Sequence, residues 1–374
     1  MASRRHVVRT ALAVCSMAIV VALAGCSGES PEQPGASADA GTAGASAGDA
    51  SAGTSEDASQ EPAAGVDLEW ATAGPIGTTV VTGGDTTVAI AGGRAKVSIG
   101  GAAVPLPTPG GYAASEALLD EDYAVVVFQE KTESQPGSAT VIERATGRLL
   151  LVDGYSDVPT VNGGAWALGS DSSGNGLLFH ATFGPKNSYC LAAHDLAADS
   201  GRIVWCAPQG SGFNDVRQSP AGLTVLSFTS GRPSCRTPLV VDLASGEATA
   251  LAGPGECAGW DSLLLESGAV WSSVPDEKRV EEATFSAQSE GDTANLGIGD
   301  TGSLTWCAGA AYFTRPETDG QKAALIRWDG TAATTVYEAP GKPGFLSAPR
   351  CGGSSITLTA RSEGGDEQVT AALD

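Results

Sequence analysis

The sequence predicts an all-β domain over residues 66–374, on three observations. Short apolar or alternating runs recur along it, such as Thr78-Thr79-Val80-Val81, Tyr123-Ala124-Val125-Val126-Val127-Phe128 and Ser355-Ile356-Thr357-Leu358-Thr359, each bounded by turn-forming residues. Glycine, at 50 residues in the chain, marks the turns between them. No stretch sustains the 3.6-residue apolar period of a helix. About 310 residues without a Pro/Ser-rich break read as one large domain.

Two segments precede that domain. Residues 1–25 begin with Arg4, Arg5 and Arg9, continue through an apolar run at 11–23, and end in Leu23-Ala24-Gly25 before Cys26. The apolar run is shorter than the roughly 20 residues a bilayer-spanning helix needs. These residues resemble the signal peptide and lipobox of bacterial lipoproteins. The resemblance implies cleavage before Cys26, a diacylglyceryl group on its sulfur, and a place on the extracytoplasmic face of the cell membrane. Ser3-Arg4-Arg5-His6-Val7-Val8-Arg9 also resembles a twin-arginine export signal, whereas the cysteine content discussed below fits the general secretory route.

Residues 26–65 follow the lipidation site as a linker. Positions 27–65 hold Ser, Gly, Ala, Pro, Gln and Thr with seven acidic and no basic side chains, and no aromatic or large aliphatic one. Such a segment buries too little apolar surface to offset the entropy of ordering, so disorder is expected. As a coil its reach is roughly 35 Å, a stalk between membrane and domain.

The formal charge of the whole chain is −22, and it becomes more negative once the three leader arginines are removed. A nucleic-acid partner would require the opposite sign, and an anionic lipid surface would repel the domain. Membrane association is therefore expected through the lipid alone. Six cysteines lie in the domain, Cys190, Cys206, Cys235, Cys257, Cys307 and Cys351. An even number in an exported domain reads as three disulfides, with fifteen connectivities open. The absence of Cys-x-x-Cys among them removes the zinc-ribbon and thioredoxin readings.

A hairpin recurs inside the domain. It reads Val141-Ile142-Glu143-Arg144-Ala145-Thr146-Gly147-Arg148-Leu149, then Ala193-His194-Asp195-Leu196-Ala197-Ala198-Asp199-Ser200-Gly201-Arg202-Ile203-Val204-Trp205, then Val240-Val241-Asp242-Leu243-Ala244-Ser245-Gly246-Glu247-Ala248, and more loosely Leu325-Ile326-Arg327-Trp328-Asp329-Gly330-Thr331. Each is an apolar strand, a polar turn and a second strand. The pattern resembles the third-to-fourth-strand hairpin of quinoprotein-type and WD40-like β-propeller blades, and Ser219-Pro220-Ala221-Gly222 resembles the Ser-Pro-Asp-Gly turn of the WD40-like kind.

That resemblance implies a β-propeller. Innermost strands are expected near Thr78, Tyr123, Trp166, Leu223, Val270, Tyr312 and Ile356, at spacings of 42 to 57 residues. Seven starts suggest seven blades, with six or eight as the alternatives. Val66-Asp67-Leu68-Glu69-Trp70 alternates apolar and acidic residues and is expected to add the outer strand of the last blade, closing the ring. Aligning the blades pairs Cys190 with Cys206 and Cys235 with Cys257, and makes Cys307–Cys351 a blade-to-blade staple.

Catalytic chemistry is sparse. His180 and His194 are the histidines outside the leader, too few for a multi-His metal site, and each reads as a strand residue. The vicinal Cys pair that accompanies a bound quinone is missing, so no cofactor is expected. Asp171, Ser173 and Asn175 resemble the first half of a calcium loop, but Thr182 stands where the bidentate Glu belongs, and a plain hairpin turn reads better. Asp120, Glu121 and Asp122 form either an acidic cluster for glycoside cleavage or a solvated loop. Trp166, Trp260, Trp271, Trp306 and Tyr312 are expected near inner strands, mostly as packing between blades. The sequence thus reads as a surface lipoprotein whose propeller is a binding or scaffold module for an envelope protein or glycan. The alternative is a propeller hydrolase or lyase acting on extracellular polysaccharide, and carboxylates converging on the axis would distinguish it.

Overall fold

Turn chemistry sets the repeating unit. In the hairpins of residues 141–149 and 240–248, Gly147 and Gly246 take φ of 73° and 72°, a conformation other residues reach only with strain. Their N–H groups donate to the carbonyls of Glu143 and Asp242, both at 2.8 Å. The Asp242 carboxylate accepts from the amides of Ala244 and Ser245 and ties the same turn from its other side. In the 193–205 hairpin the left-handed place falls to Asp199 (φ 53°) and not to Gly201.

The computed structural model describes residues 67–289, 291–318 and 320–373. The leader, Cys26 and the linker lie outside the described residues. The hairpins build a seven-bladed β-propeller, seven antiparallel sheets in a ring, with one 3-10 turn at Pro185–Asn187 as the only helical element among the described residues. In blades 1 to 6 the chain runs from the inner to the outer strand of a four-stranded sheet. Inner strands are Thr79–Gly83, Tyr112–Leu119, Trp166–Ser170, Ser211–Ser219, Gly259–Leu265 and Thr305–Cys307. In blade 7 the inner position is split into Gly344–Leu346 and Arg350–Cys351. Its second and third strands are Ser355–Ser362 and Glu367–Ala372, and its outer strand is Trp70–Thr72 from the far end of the domain. The ring closes as expected, with the closing strand displaced a few residues toward the C-terminus.

The four repeated hairpins are the third and fourth strands of blades 2, 3, 4 and 6, as their resemblance implied. The inner strands require a correction. Thr78 and Trp166 mark inner strands, but Tyr123, Leu223, Val270, Tyr312 and Ile356 lie on second strands. A second strand is covered on both faces by neighbouring blades, and Tyr123–Glu130 has its first six residues buried. The inner strand before it, Tyr112–Leu119, is only intermittently buried because it borders the channel.

Five apolar clusters fill the seams between blades 1 and 2, 2 and 3, 3 and 4, 5 and 6, and 6 and 7. None of them spans the seam of blades 4 and 5 or that of blades 7 and 1. At the latter, the Thr82 hydroxyl lies 2.7 Å from that of Thr370 and 3.3 Å from that of Thr357, and Ser355 Oγ donates to the Thr82 carbonyl. A Cβ on Gly83 would fall 1.9 Å from the Gly352 carbonyl oxygen, so the two backbones touch there. At the former, Ser219 Oγ donates to the Leu264 carbonyl (2.6 Å), Thr224 Oγ1 to that of Ser262 (2.8 Å), and Arg236 lies 4.0 Å over the Trp260 ring.

The three disulfides are Cys190–Cys206, Cys235–Cys257 and Cys307–Cys351, the pairings expected from the blade alignment. Cys190 and Cys235 lie within third strands, and Cys307 and Cys351 end inner strands. Cys190–Cys206 crosses one hairpin of blade 3, whereas Cys307–Cys351 joins blades 6 and 7 over a separation of 44 residues. In the chain-entropy account that longer loop is worth about 4 kcal/mol against about 3 for the 16-residue one. Replacing both Cys307 and Cys351 by Ser is expected to lower the urea midpoint more than replacing Cys190 and Cys206, read from equilibrium denaturation.

Candidate functional site

Inner strands alternate between side chains wedged among blades and side chains turned toward the axis, and the latter line a central cavity of about 710 Å³. Blades 2 to 7 contribute to its wall. Blade 1 does not, because the strand ends of blades 2 and 7 meet in front of it, where Leu119 bridges Gly352 in parallel. The charged groups on the wall are Glu116, the 120–122 turn, Asp215, Arg217 and Arg350, and Trp306 supplies a half-buried indole.

Blade 4 extends a chain of ion pairs across its polar seam. Arg217 Nε donates to Asp215 Oδ2 (2.6 Å), and its Nη2 lies 2.8 Å from Asp261 Oδ1 in blade 5. Asp261 is fully buried, and its other oxygen accepts from Ser272 Oγ (2.7 Å) and the Gly302 amide (3.0 Å). Burial opposes the Arg217 charge, yet Asp215 and Asp261 outweigh it and hold the guanidinium above its usual pKa. Burial pushes the Asp261 carboxyl upward despite Arg217 and the Ser272 hydrogen bond.

Glu116 and Arg350 differ from that pair. Burial pushes the Glu116 carboxyl up to about 7; the Asp215 charge adds to the shift and Arg350 opposes it. Burial likewise depresses Arg350, with Glu116 counteracting. Among the described residues neither side chain makes a hydrogen bond or an ion pair within 4 Å.

The residues singled out from the sequence fare unevenly. Asp120 reaches the cavity wall, but its Oδ1 accepts from the amides of Asp122 (2.9 Å) and Tyr123 (2.6 Å), so it caps its own turn. Burial raises its carboxyl to about 6 against those two bonds. Arg144 locks the turn by donating to the carbonyls of Asp120, Glu121 and Gly83. Asp171, Ser173 and Asn175 form a hairpin turn in which the Asp171 carboxylate accepts from the Ser173 and Asn175 amides and from Asn175 Nδ2, all within 2.9 Å. Those oxygens face donors, and no group of three or more His, Cys, Asp and Glu suited to a metal occurs among the described residues. His180 is buried with Nδ1 3.1 Å from the Ala181 carbonyl, and burial lowers its pKa to about 4. His194 Nε2 lies 3.2 Å from Asp199 Oδ1. Trp166, Trp260 and Trp306 are on inner strands, whereas Trp271 and Tyr312 are buried on second strands.

Glu116, Asp215, Arg217, Asp261 and Arg350 were not anticipated. The available signal was a charge inside an otherwise apolar strand, as in Ala113-Ala114-Ser115-Glu116-Ala117-Leu118-Leu119, which alternation alone assigns to solvent.

A carboxyl whose folded pKa is raised binds more protons folded than unfolded, so stability falls as pH rises from about 4.5 toward 7. Glu116→Gln removes that penalty. The variant is expected to melt a few degrees above the wild type at pH 8, by about 3 kcal/mol, and to match it near pH 4. Thermal melts across that range check it.

No protein-family model matches the chain, and no curated protein does. Among solved structures it is similar to the β-propeller domain of the trilobed protease of Pyrococcus furiosus, with a TM-score of 0.52 and 10% identity over 79% of this chain and 95% of that one. That propeller is described as having an open velcro topology, whereas here the strand Trp70–Thr72 closes the ring. A prolyl endopeptidase is similar with a TM-score of 0.51 and 17% identity over 82% of this chain, which spans 47% of that protein. At these identities the likeness is one of fold, the seven-bladed β-propeller.

Proposed function

We propose that this protein is a lipid-anchored binding module on the extracytoplasmic face of the membrane, held by Cys26, whose central channel receives an envelope protein or glycan. The observation that carries the reading is the channel: six blades contribute to one cavity of about 710 Å³ with both signs of charge and an indole on its wall. Its volume falls within the roughly 300–1,000 Å³ of ligand sites. Hydrolysis of polysaccharide has less support. Glu116, Asp120 and Asp215 do converge on the cavity wall as that reading asks. But a glycosidase needs two carboxylates free to flank the bond, and Asp215 is engaged by Arg217 and Asp120 by its own turn.

Two measurements test the two halves of the reading. Intact mass of the membrane-extracted protein is expected to give a chain that starts at Cys26 with acyl mass and six cysteines shielded until reduction; a mass retaining residues 1–25 overturns the anchor. Hydrogen–deuterium exchange with soluble peptidoglycan fragments as the probe is expected to slow exchange in Tyr112–Leu119 and Ser211–Ser219. Slowing confined to outer strands, or none, counts against the channel.

A further inference from the structure

The channel wall holds two guanidinium groups with different surroundings. Arg217 is paired with two carboxylates, Asp215 and Asp261. Arg350, on the inner strand of blade 7 next to the Cys307–Cys351 staple, is half-buried and lines the same cavity, yet among the described residues its guanidinium has no hydrogen-bond partner and no carboxylate within 4 Å. In a chain with 43 acidic side chains, an inward-facing arginine without a pair leaves a five-donor fork open to a ligand. That fork matches a carboxylate in two parallel hydrogen bonds.

Glu116 is its counterpart on blade 2. It lines the same cavity, accepts no hydrogen bond among the described residues, and interacts electrostatically with both Arg350 and Asp215. An ionised carboxylate there has only acceptors to offer, and Asp215 nearby reinforces its preference for a cation. A ligand that satisfies both groups carries an anionic carboxylate and a cationic donor a short distance apart. The α-amino-acid head group has both on one carbon.

We propose that Arg350 and Glu116 form a site for the zwitterionic head of an α-amino acid, the carboxylate on Arg350 and the ammonium on Glu116. This rests on the channel being the binding site. The head group can come from a free amino acid or from one attached to an envelope polymer through its side chain.

Calorimetric titration of the full mature chain with alanine, alaninamide, N-acetylalanine and Nε-acetyl-lysine tests it. Wild type is expected to bind alanine, Nε-acetyl-lysine or both, with the amide and the N-acetyl form each at least about tenfold weaker. Arg350→Met is expected to abolish the acid-over-amide preference, Arg350→Lys to retain part of it, and Glu116→Gln to abolish the amine-over-acetyl preference. Binding of alanine alone identifies the free amino acid as the source; binding of Nε-acetyl-lysine alone identifies a side-chain-linked head. Equal binding of acid and amide by the wild type, or preferences that survive in folded variants, overturn the proposal. If no zwitterion saturates while peptidoglycan fragments still protect the inner strands, the head-group site is wrong and the channel reading stands. Loss of that protection as well removes both.

Discussion

Everything in this molecule depends on closing a ring of sheets with a single linear chain. A strand edge left open presents unpaired backbone donors and acceptors. Here the edge of blade 7 is covered by Trp70–Thr72, which pairs with Glu367–Ala372 and joins the two ends of the domain. The indole of Trp70 donates to the Val336 carbonyl (2.9 Å) and packs edge-on against Tyr337 with centroids 4.9 Å apart, so the closing strand is also anchored to blade 6. Closure brings blade 7 against blade 1, and the fit there is tight enough that Gly83 and Gly352 leave no room for a side chain.

The seams follow from that geometry. Five are apolar and gain stability from buried area. The other two, on opposite sides of the ring, are joined by hydroxyls, backbone carbonyls and charges. The seam of blades 4 and 5 places a guanidinium on the channel wall because a buried carboxylate behind it compensates the charge. Losing one partner of such a pair strands a buried charge, at a cost of about 3–5 kcal/mol. Cys235–Cys257 and the Arg236–Trp260 contact reinforce the same seam, which otherwise relies on directional bonds. Channel chemistry and ring integrity are therefore coupled at Arg217 and Asp261.

Radial position explains where sequence reading succeeded and failed. Runs such as Tyr123–Glu130 and Leu223-Thr224-Val225-Leu226 stand out because neighbouring blades cover both their faces, so strong hydrophobicity marks the second strand, not the innermost one. The strands that line the channel carry polar residues at alternate positions, as at Glu116 in Tyr112–Leu119 and at Asp215 and Arg217 in Ser211–Ser219. Such alternation is also what a solvent-facing edge strand shows. The run from Asp171 to Asn175 is the plain hairpin turn its sequence favoured, because the short polar side chains that resemble half a calcium loop equally serve an Asp-capped turn.

The sequence by itself determined the all-β class and the recurring third-to-fourth-strand hairpins, and the blade alignment that the propeller resemblance implies added the count of seven blades and the three cysteine pairs. These are properties of local periodicity, turn residues and repeat phase, which are all written along the chain. Only the tertiary structure decided which strands face the axis, which two seams are polar, and that Glu116 of blade 2 and Arg350 of blade 7 share one cavity. Those residues are more than 200 positions apart, and their meeting is set by the curvature of the closed ring, a quantity no local pattern encodes.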